Sequence, residues 1–325
     1  MNPMRWLICA ALSLTPALAQ AQADAFPSRP IRFMLPFGPG GTADALARVI
    51  SPRLTEIWGQ QIVIENRPGG GGILGMEAAR TMPADGYNYV LVGNSAAASE
   101  AIYPKLNYDF RRDFLPVSIS ISSPMLIAVN AAFPVNNFQA MVAALQAEPN
   151  KRSYGSCGQG SAHQLAMELL KHELKFGLTH VPYKGCGPAT LAVVSGQIDV
   201  VVGATASLMP HVRAGKLRAM AVTFDRRSPS NPDVPTVAES GGPRTKSFSV
   251  DNWYGFMAPA ATPRDLAARV GRDINRVLAI PEVRERLAPA GIDVRTGDGA
   301  ALLEAYLADL RQFKVAVDAA QIKPD

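Results

Sequence analysis

Residues 31–50 read IRFMLPFGPGGTADALARVI, an apolar run that meets two prolines and three glycines and then becomes an amphipathic segment. The run Ile31–Pro36 predicts a β-strand, and the spacing of apolar residues over Ala43–Trp58 predicts a helix with Thr42 as its N-cap. The junction lacks the lysine of a phosphate-binding P-loop and the G-x-G-x-x-G spacing of a dinucleotide-binding turn. It therefore predicts a strand-to-helix turn of another kind.

Strands and helices alternate along the rest of the chain. Predicted strands at residues 31–36, 61–65 and within DGYNYVLVGNS (85–95) are separated by helices, which favours a parallel sheet. A second series of similar size begins at MLIAVN (125–130) and ends at LRAMAVT (217–223). A strand at WYGFMAPA (253–260) and helices Pro263–Leu278, Glu282–Ala288 and Ala300–Val317 follow. We expect two α/β lobes, the first from residues 24–124 and 224–325 and the second from residues 125–223.

The first residues have the pattern of a secretory signal. Arg5 precedes the apolar stretch Trp6–Leu18, and small residues predict cleavage between Ala19 and Ala23. The apolar stretch is too short to span a bilayer, which disfavours the alternative of an uncleaved membrane anchor. We therefore expect residues 1–23 to be a signal peptide and the mature protein to be exported to a periplasm.

The composition argues against several function classes. The formal net charge is +5, and the basic residues are scattered, so nucleic-acid binding is not expected. The three cysteines and four histidines form no C-x-x-C or H-E-x-x-H unit, so we expect neither a metal nor another cofactor. Cys157 and Cys186 remain after loss of the signal, and an oxidising compartment would allow them to form a disulfide. We expect a monomer.

Two glycine-rich junctions are candidates for ligand binding. PFGPGGTAD (36–44) and SCGQGSAH (156–163) each lead from a predicted strand into a helix, with Ser161 as the cap of the second helix. A helix N-terminus offers unpaired N–H groups and partial positive charge, and glycine lets an anion approach the backbone. Because the junctions lie in different predicted lobes, both could hold one carboxylate in a cleft. The alternative is that each junction is only a tight turn.

A hydrolase is the enzymatic alternative. GNSAA (93–97) has the form of a nucleophile elbow, but it ends in Ala97 where the motif has glycine. The last histidine, His211, lies on a predicted helix, and no histidine follows it as the triad order requires. We therefore do not expect an enzyme, and only hydrolysis that is lost on Ser95→Ala would revive this alternative.

Eight segments in a fixed order resemble the Bug family, the periplasmic substrate-binding proteins of tripartite tricarboxylate transporters. They are PSRPIRFMLPFGPGGTADALAR, GQQIVIENRPGGGGILG, PADGYNYVLV, HVPYKGCGPA, AGKLRAMAVT, RRSPSNPDVPTVAESG, WYGFMAPAATP and PEVRERLAPAGID. The resemblance runs from about Pro27 to the C-terminal helix. It implies a type II periplasmic-binding-protein fold with two α/β lobes and a ligand cleft between them. It also implies a small carboxylated ligand (a di- or tricarboxylate or an aromatic acid) and transfer to membrane permease subunits; a receptor that reports to a sensor kinase is the alternative.

The resemblance also implies which residues bind the ligand, partly through ordered water. Those in the first lobe are Phe37, Gly40, Gly41, Thr42, Asn94 and Ser95. Those in the second lobe are Gly158, Gln159, Gly160, Ser161, Gln164, Tyr183, Gly185, Gly203 and Ala204. Asp44 matches an acidic residue that we expect to organise the first loop. Tyr183 lines the cleft or belongs to the core, and Lys184 is a carboxylate partner or a solvated lysine.

The chain departs from the family pattern at three places. Gln164 stands where the family has a histidine, and His163 lies one step earlier. Gly203 stands where many relatives have an aspartate that could pair with an amine, which argues against an amino-acid ligand. Cys157 and Cys186 replace residues that are usually serine or alanine, and they are either bonded or two unrelated small residues.

Overall fold

The strands form two sheets in residues 26–323, the part of the chain that the computed structural model describes. The strands are β1 (Ile31–Leu35), β2 (Ile62–Asn66), β3 (Asn88–Gly93), β4 (Phe114–Ser122), β5 (Met125–Asn130), β6 (Ser153–Ser156), β7 (Thr179–Pro182), β8 (Val200–Ala204), β9 (Leu217–Val222), β10 (Trp253–Pro259) and β11 (Asp293–Asp298). The first sheet has the order β11-β4-β10-β3-β1-β2, and the second has the order β7-β6-β8-β5-β9. The predicted signal peptide lies outside the described residues.

Helices connect most of the strands, which confirms the predicted α/β class. They are α1 (Thr42–Trp58), α2 (Ile73–Arg80), α3 (Ser95–Ile102), α4 (Phe138–Ala147), α5 (Ala162–Leu174), α6 (Cys186–Val194), α7 (Thr205–Arg213), α8 (Val237–Ser240), α9 (Arg264–Leu278), α10 (Pro281–Leu287) and α11 (Gly299–Ala320). No helix within residues 26–323 combines the length and the apolar character that crossing a bilayer requires. The prediction of Thr42 as N-cap is wrong, because Gly41 takes that position with an extended backbone and Thr42 is already helical.

Both sheets are mixed, whereas the alternating pattern predicts parallel sheets. β1 is parallel to β2 and β3, and β6 is parallel to β7 and β8. β10, however, runs antiparallel to its neighbours β3 and β4, and β5 runs antiparallel to β8 and β9. The difference arises because β5 and β10 each follow a segment that crosses from the other sheet, so they enter their sheets from the opposite end.

The two crossing segments lie side by side. One runs from β4 into β5 at residues 122–125, and the other leaves β9 at Val222 and enters β10 at Trp253. The Ser123 N–H donates to the Asn252 carbonyl (3.1 Å), and the Thr223 N–H donates to the Met125 carbonyl (3.0 Å). Sheet membership changes next to residues 124 and 223, and the lobe boundaries at these positions stay a prediction.

The last helix, α11, packs against the first sheet at the crossing. Trp253 at the start of β10 is 1% exposed, and its Nε1–H donates to Oδ2 of the buried Asp309 at 2.8 Å. One turn earlier, the ring of Tyr306 stacks on Phe110 with ring centroids 3.8 Å apart. These contacts fix the C-terminal helix onto the strand that returns from the second sheet.

Candidate ligand-binding site

A cavity of about 920 Å³ lies between loops of the two sheets. Its wall on the side of the first sheet consists of Pro36, Phe37, Gly38, Pro68, Gly69, Gly70, Gly71, Gly72, Gly93, Asn94, Ser95, Asn252 and Tyr254. Its wall on the side of the second sheet consists of Cys157, Gly158, Gln159, Gly160, Ser161, Ala162, His163, Tyr183, Lys184 and Gly185. Loops at the carboxyl ends of parallel strands supply most of this wall, which is where open α/β sheets bind ligands.

Four helices of the described chain begin at the wall of this cavity. The N-cap residues of α2, α3, α5 and α6 are Gly72, Asn94, Ser161 and Gly185, and all four line it. A helix N-terminus carries partial positive charge, which favours a nearby anion by about 0.3–1 kcal/mol, and it has unpaired N–H groups. In α2 the N–H groups of Ile73 and Leu74 already donate to the carbonyls of Gly70 and Gly69, so this helix contributes mainly its partial charge. The arrangement therefore concentrates the electrostatic conditions for anion binding at one place.

The second glycine-rich loop, residues 157–161, is held in shape by its own side chains. Oγ of Ser161 accepts a hydrogen bond from the Gln164 N–H (3.3 Å), which confirms Ser161 as the N-cap, and the same hydroxyl donates to the Gly158 carbonyl (2.7 Å). The Gly160 N–H donates to Oε1 of the buried Gln164 at 2.7 Å. Gly158 and Gly160 have φ values of +146° and +68°, which favour glycine. The Ser161 N–H donates to the Gly158 carbonyl (3.3 Å) and the Gly158 N–H donates to Oγ of Ser156 (3.3 Å), so within residues 158–161 the Gln159 N–H is the one left for a ligand.

Asp44 organises the first glycine-rich loop, residues 36–42, as expected. Its carboxylate accepts hydrogen bonds from the Gly40 N–H (3.0 Å), from Nε of Arg48 (2.8 Å) and from Nδ2 of Asn66 (3.2 Å). The hydrogen bond from Arg48 is the main reason why the pKa of Asp44 is lowered. Nδ2 of Asn66 also donates to the Phe37 carbonyl (3.1 Å), so β2 and α1 together set the loop that carries Phe37 to the cavity.

The structure brings most of the predicted site residues to the cavity wall, and their role in binding stays a prediction. Those at the wall are Phe37, Asn94, Ser95, Gly158, Gln159, Gly160, Ser161, Tyr183 and Gly185. The predicted residues that do not line the wall are Gly40, Gly41, Thr42, Gln164, Gly203 and Ala204.

These six residues lie outside the wall in different surroundings, because Gly40 and Gly41 are exposed whereas Gln164 and Gly203 are buried. Gly40 and Gly41 are turned toward Asp44 and the start of α1. Gly203 is inside β8, where a Cβ would lie 3.3 Å from Cδ1 of Leu208 and 3.9 Å from Sγ of Cys157.

Several wall residues were not predicted from the sequence. The largest group is Gly69–Gly72, whose φ values are all positive. Tyr254 and Asn252 come from the crossing into β10, and the Tyr254 ring meets the Phe37 ring edge-on with centroids 5.5 Å apart. The signal for Gly69–Gly72 was present in NRPGGGG, which follows a predicted strand as the other two glycine-rich junctions do. The wall also includes the exposed Lys184.

A disulfide joins Cys157 and Cys186, whose Cα atoms are 4.3 Å apart. The bond ties the second glycine-rich loop to the first residue of α6. Nε2 of His163 lies 3.9 Å from Sγ of Cys186. Burial lowers the pKa of His163 to about 4, so its imidazole is neutral at physiological pH.

The charge of the wall is one-sided within residues 26–323. None of the wall residues is an aspartate or a glutamate, and Lys184 brings a positive charge. The buried Asp251 lies behind the wall, and its backbone carbonyl accepts a hydrogen bond from Nδ2 of Asn94 at 2.7 Å. Burial raises the pKa of Asp251 to about 6, and hydrogen bonds from Ser122 (2.5 Å) and Arg295 (2.9 Å) oppose the rise. Asn94 thus connects the wall to the crossing segments.

A second cavity of about 800 Å³ lies behind the second glycine-rich loop, between α5, β7 and residues 319–323. Its wall includes the carboxylate of Glu168, which accepts from the Tyr154 hydroxyl (2.6 Å) and pairs with Lys171 (2.7 Å). None of the N-cap residues Gly72, Asn94, Ser161 and Gly185 lines this second cavity, so it lacks the helix N-termini of the first one. We therefore place the candidate site in the first cavity.

Comparison with known proteins gives concordant matches. Residues 46–315 match the sequence model of a family described as tripartite tricarboxylate transporter family receptor. Protein BugT of Bordetella pertussis is 33% identical over 275 residues, which cover 84% of this chain and 83% of BugT. A structure of an R. palustris protein with adipate has a TM-score of 0.81 at 28% identity, covering 92% of this chain and 100% of that one. MatC from Rhodopseudomonas palustris with bound malate has a TM-score of 0.76 at 30% identity, covering 90% of this chain and 100% of MatC. The predicted periplasmic-binding-protein fold is thereby confirmed.

Proposed function

Because the chain belongs to the tripartite tricarboxylate transporter receptor family, also known through its Bug members, we propose that it binds a small carboxylated molecule in the cavity between its two sheets. As a member of this family it is a periplasmic solute-binding receptor and not an enzyme. The finer parts of the proposal are a di- or tricarboxylate or an aromatic acid as ligand, and permease subunits as the receiving partner. Export through cleavage of the signal between Ala19 and Ala23 completes the proposal.

The observation that carries the proposal is the electrostatic character of the cavity wall. The N-termini of four helices lie at the wall, and no aspartate or glutamate of residues 26–323 lines it. The wall is thus suited to a carboxylate that accepts hydrogen bonds from backbone N–H groups. Lys184 adds a positive charge at the rim.

Two similar structures support the dicarboxylate form of the proposal. One was solved with adipate and the other with malate, and each covers at least 90% of this chain. The aromatic rings of Phe37 and Tyr254 give the cavity an apolar surface for the carbon chain or ring of the ligand.

The proposed mechanism neither makes nor breaks a covalent bond. The ligand contacts both walls of the cavity, so it stabilises the closed arrangement of the lobes more than the open one. Closure occurs about the crossing segments, where a few residues at strand ends join the sheets. The permease subunits then receive the ligand from the closed receptor.

Thermal and chemical unfolding against a panel of acids tests the proposal. A ligand at a hundred times its dissociation constant stabilises the folded protein by about 2.7 kcal/mol. The methyl ester of each acid is the control for charge, and it is expected to give no shift. A panel in which uncharged compounds stabilise the protein and no acid does would refute the proposal.

A pair of variants tests whether the ligand binds in this cavity. Gln159→Glu adds a carboxylate to the wall. Two like charges at about 6 Å repel each other by ~1–3 kcal/mol at the effective dielectric of a protein surface. The affinity for the acid is therefore expected to fall about tenfold or more. Gln197→Glu adds the same charge at an exposed position outside the wall and serves as the matched control. Equal affinity of the two variants would contradict this placement.

A further inference from the structure

We propose that Cys157, Cys186 and His163 form, when the disulfide is reduced, a binding site for one thiophilic metal ion such as Zn²⁺ in the wall of the cavity. Five residues lie between Cys157 and His163 and 22 between His163 and Cys186, so the sequence shows no metal-binding motif with short spacing here. The site lies in the wall of the proposed carboxylate cavity and does not depend on the identity of the carboxylate ligand.

The distances between the three ligand atoms are close to those of a metal site. One possible ligand atom from each residue lies within 4.8 Å of the other two, and Nε2 of His163 is 3.9 Å from Sγ of Cys186. Tetrahedral zinc with Zn–S of about 2.3 Å and Zn–N of about 2.0 Å requires S···N near ~3.5 Å and S···S near ~3.8 Å. His163 and Cys186 thus need little movement, and the two sulfurs need to separate by roughly 2 Å from their bonded positions.

The chain provides two fixed ligands and one that can move. His163 is the second residue of α5 and Cys186 is the first residue of α6, so both are held by the first turn of a helix. Cys157 belongs to the glycine-rich loop, where Gly158 and Gly160 allow the backbone to adjust. The N-terminus of α6 also stabilises a thiolate at Cys186. The imidazole of His163 offers Nε2, which already lies next to Sγ of Cys186.

The ligand set leaves one coordination position open. Two thiolates and an imidazole supply three protein ligands, whereas closed structural zinc sites have four. Cys157 and His163 line the cavity, so the fourth position faces the space in which a solute binds. Water or a carboxylate oxygen of the solute would complete the tetrahedron.

The redox state of the cysteine pair decides whether the site exists. A dithiol reductant transfers two electrons and two protons to the Cys157–Cys186 bond, giving two thiols and leaving the reductant as a disulfide. Each thiol releases its proton when the metal binds, so two protons leave per metal ion. In the oxidised protein the sulfurs carry no negative charge, and His163 alone is too weak a ligand.

A titration of the mature protein in both redox states tests the proposal. One sample is reduced with a water-soluble phosphine, which becomes the phosphine oxide, and is then desalted without oxygen; the other stays oxidised. Co²⁺ is added to follow the thiolate-to-cobalt charge-transfer band, and Zn²⁺ affinity is measured by competition with a chromophoric chelator. We expect one equivalent to bind to the reduced protein and at least ~100-fold weaker binding to the oxidised protein, because loss of even an outer-shell contact costs 10- to 100-fold.

Two histidine variants complete the design. Reduced His163→Ala is expected to bind Zn²⁺ at least ~100-fold more weakly than reduced wild type, whereas reduced His211→Ala, which changes a histidine on α7, is expected to bind as wild type does. Equal affinity of oxidised and reduced wild type, or of reduced His163→Ala and wild type, would overturn the proposal. A reduced protein that loses its folded circular dichroism spectrum would overturn it too, because the site requires the folded loop.

Discussion

Replacing Asp309 with asparagine is expected to remove a pH dependence from the stability of the fold. Asp309 lies on α11 with 5% of its surface exposed, and its carboxylate accepts the Nε1–H of Trp253 at 2.8 Å. Burial raises the pKa of Asp309 from 3.8 to about 8, and the negative charge of Asp251 adds to the rise. The hydrogen bond from Trp253 opposes it without cancelling it.

The direction of the effect follows from proton binding in the two states. Between about pH 4 and pH 8 the unfolded chain has released the Asp309 proton, whereas the folded protein still holds it. The folded state binds more protons in this window, so this group makes the protein less stable as the pH rises through it. A pKa raised from 3.8 to about 8 corresponds to a loss on the order of 5 kcal/mol across the window.

The variant Asp309→Asn keeps the acceptor for Trp253 and has no proton to lose. Its free energy of unfolding is expected to match that of wild type near pH 4 and to exceed it by several kcal/mol at pH 8.5. Urea unfolding of both proteins at four pH values measures the difference, in which the contributions of titrating groups that do not interact with Asp309 cancel. Asp318→Asn, at an exposed position on the same helix, is the control and is expected to change stability by less than about 0.5 kcal/mol. Parallel stability curves for Asp309→Asn and wild type from pH 5 to 8.5 would show that Asp309 does not titrate with a raised pKa in the folded protein.

Three further substitutions test other parts of the structure. The free energy of unfolding of the double variant Cys157→Ser/Cys186→Ser is expected to fall by about 3.6 kcal/mol, the chain-entropy value for a separation of 29 residues. A variant that is as stable as wild type in urea would contradict this expectation. Asp44→Asn removes the charge that orders the first glycine-rich loop, so calorimetric titration is expected to show about tenfold weaker binding of the acid that the panel identifies, a cost of ~1.4 kcal/mol. Gly255→Ala would place a Cβ 2.4 Å from the backbone oxygen of Ser118, so the free energy of unfolding is expected to fall by about 1–3 kcal/mol or more. An unchanged melting temperature would show that β4 and β10 can move apart at no cost in stability.

The local elements of the fold could be predicted because their signals are local. The periodic apolar residues of α1 and the N-cap Ser161 of α5 specify their helices without reference to the rest of the chain. β11 was not predicted, because the polar stretch Asp293–Asp298 forms a strand only through its antiparallel pairing with β4 at the sheet edge. α3 was also missed, since SAAASEAI consists mainly of small residues without a clear apolar period.

The site could be predicted in part for a related reason. The sequence identifies glycine-rich loops after strands, but the order of strands decides which of these loops meet. The wall residues Tyr254 and Asn252 could not be predicted without knowing that β10 runs antiparallel to β3. This direction pairs Tyr254 with Gly93 at the carboxyl end of β3 and so brings both residues to the cavity. The direction of β10 depends on the crossing from the second sheet, for which the chain has no local signal.

A crystal structure of the mature protein with the acid that stabilises it most would show where the carboxylate binds. We expect a carboxylate of the ligand to lie between Gly69–Gly72 and the second glycine-rich loop. Its oxygens are expected about 3 Å from backbone N–H groups at the N-termini of α2, α3, α5 or α6. A ligand in the second cavity behind that loop, or one whose carboxylates point only to solvent, would show that these helix N-termini do not bind the acid.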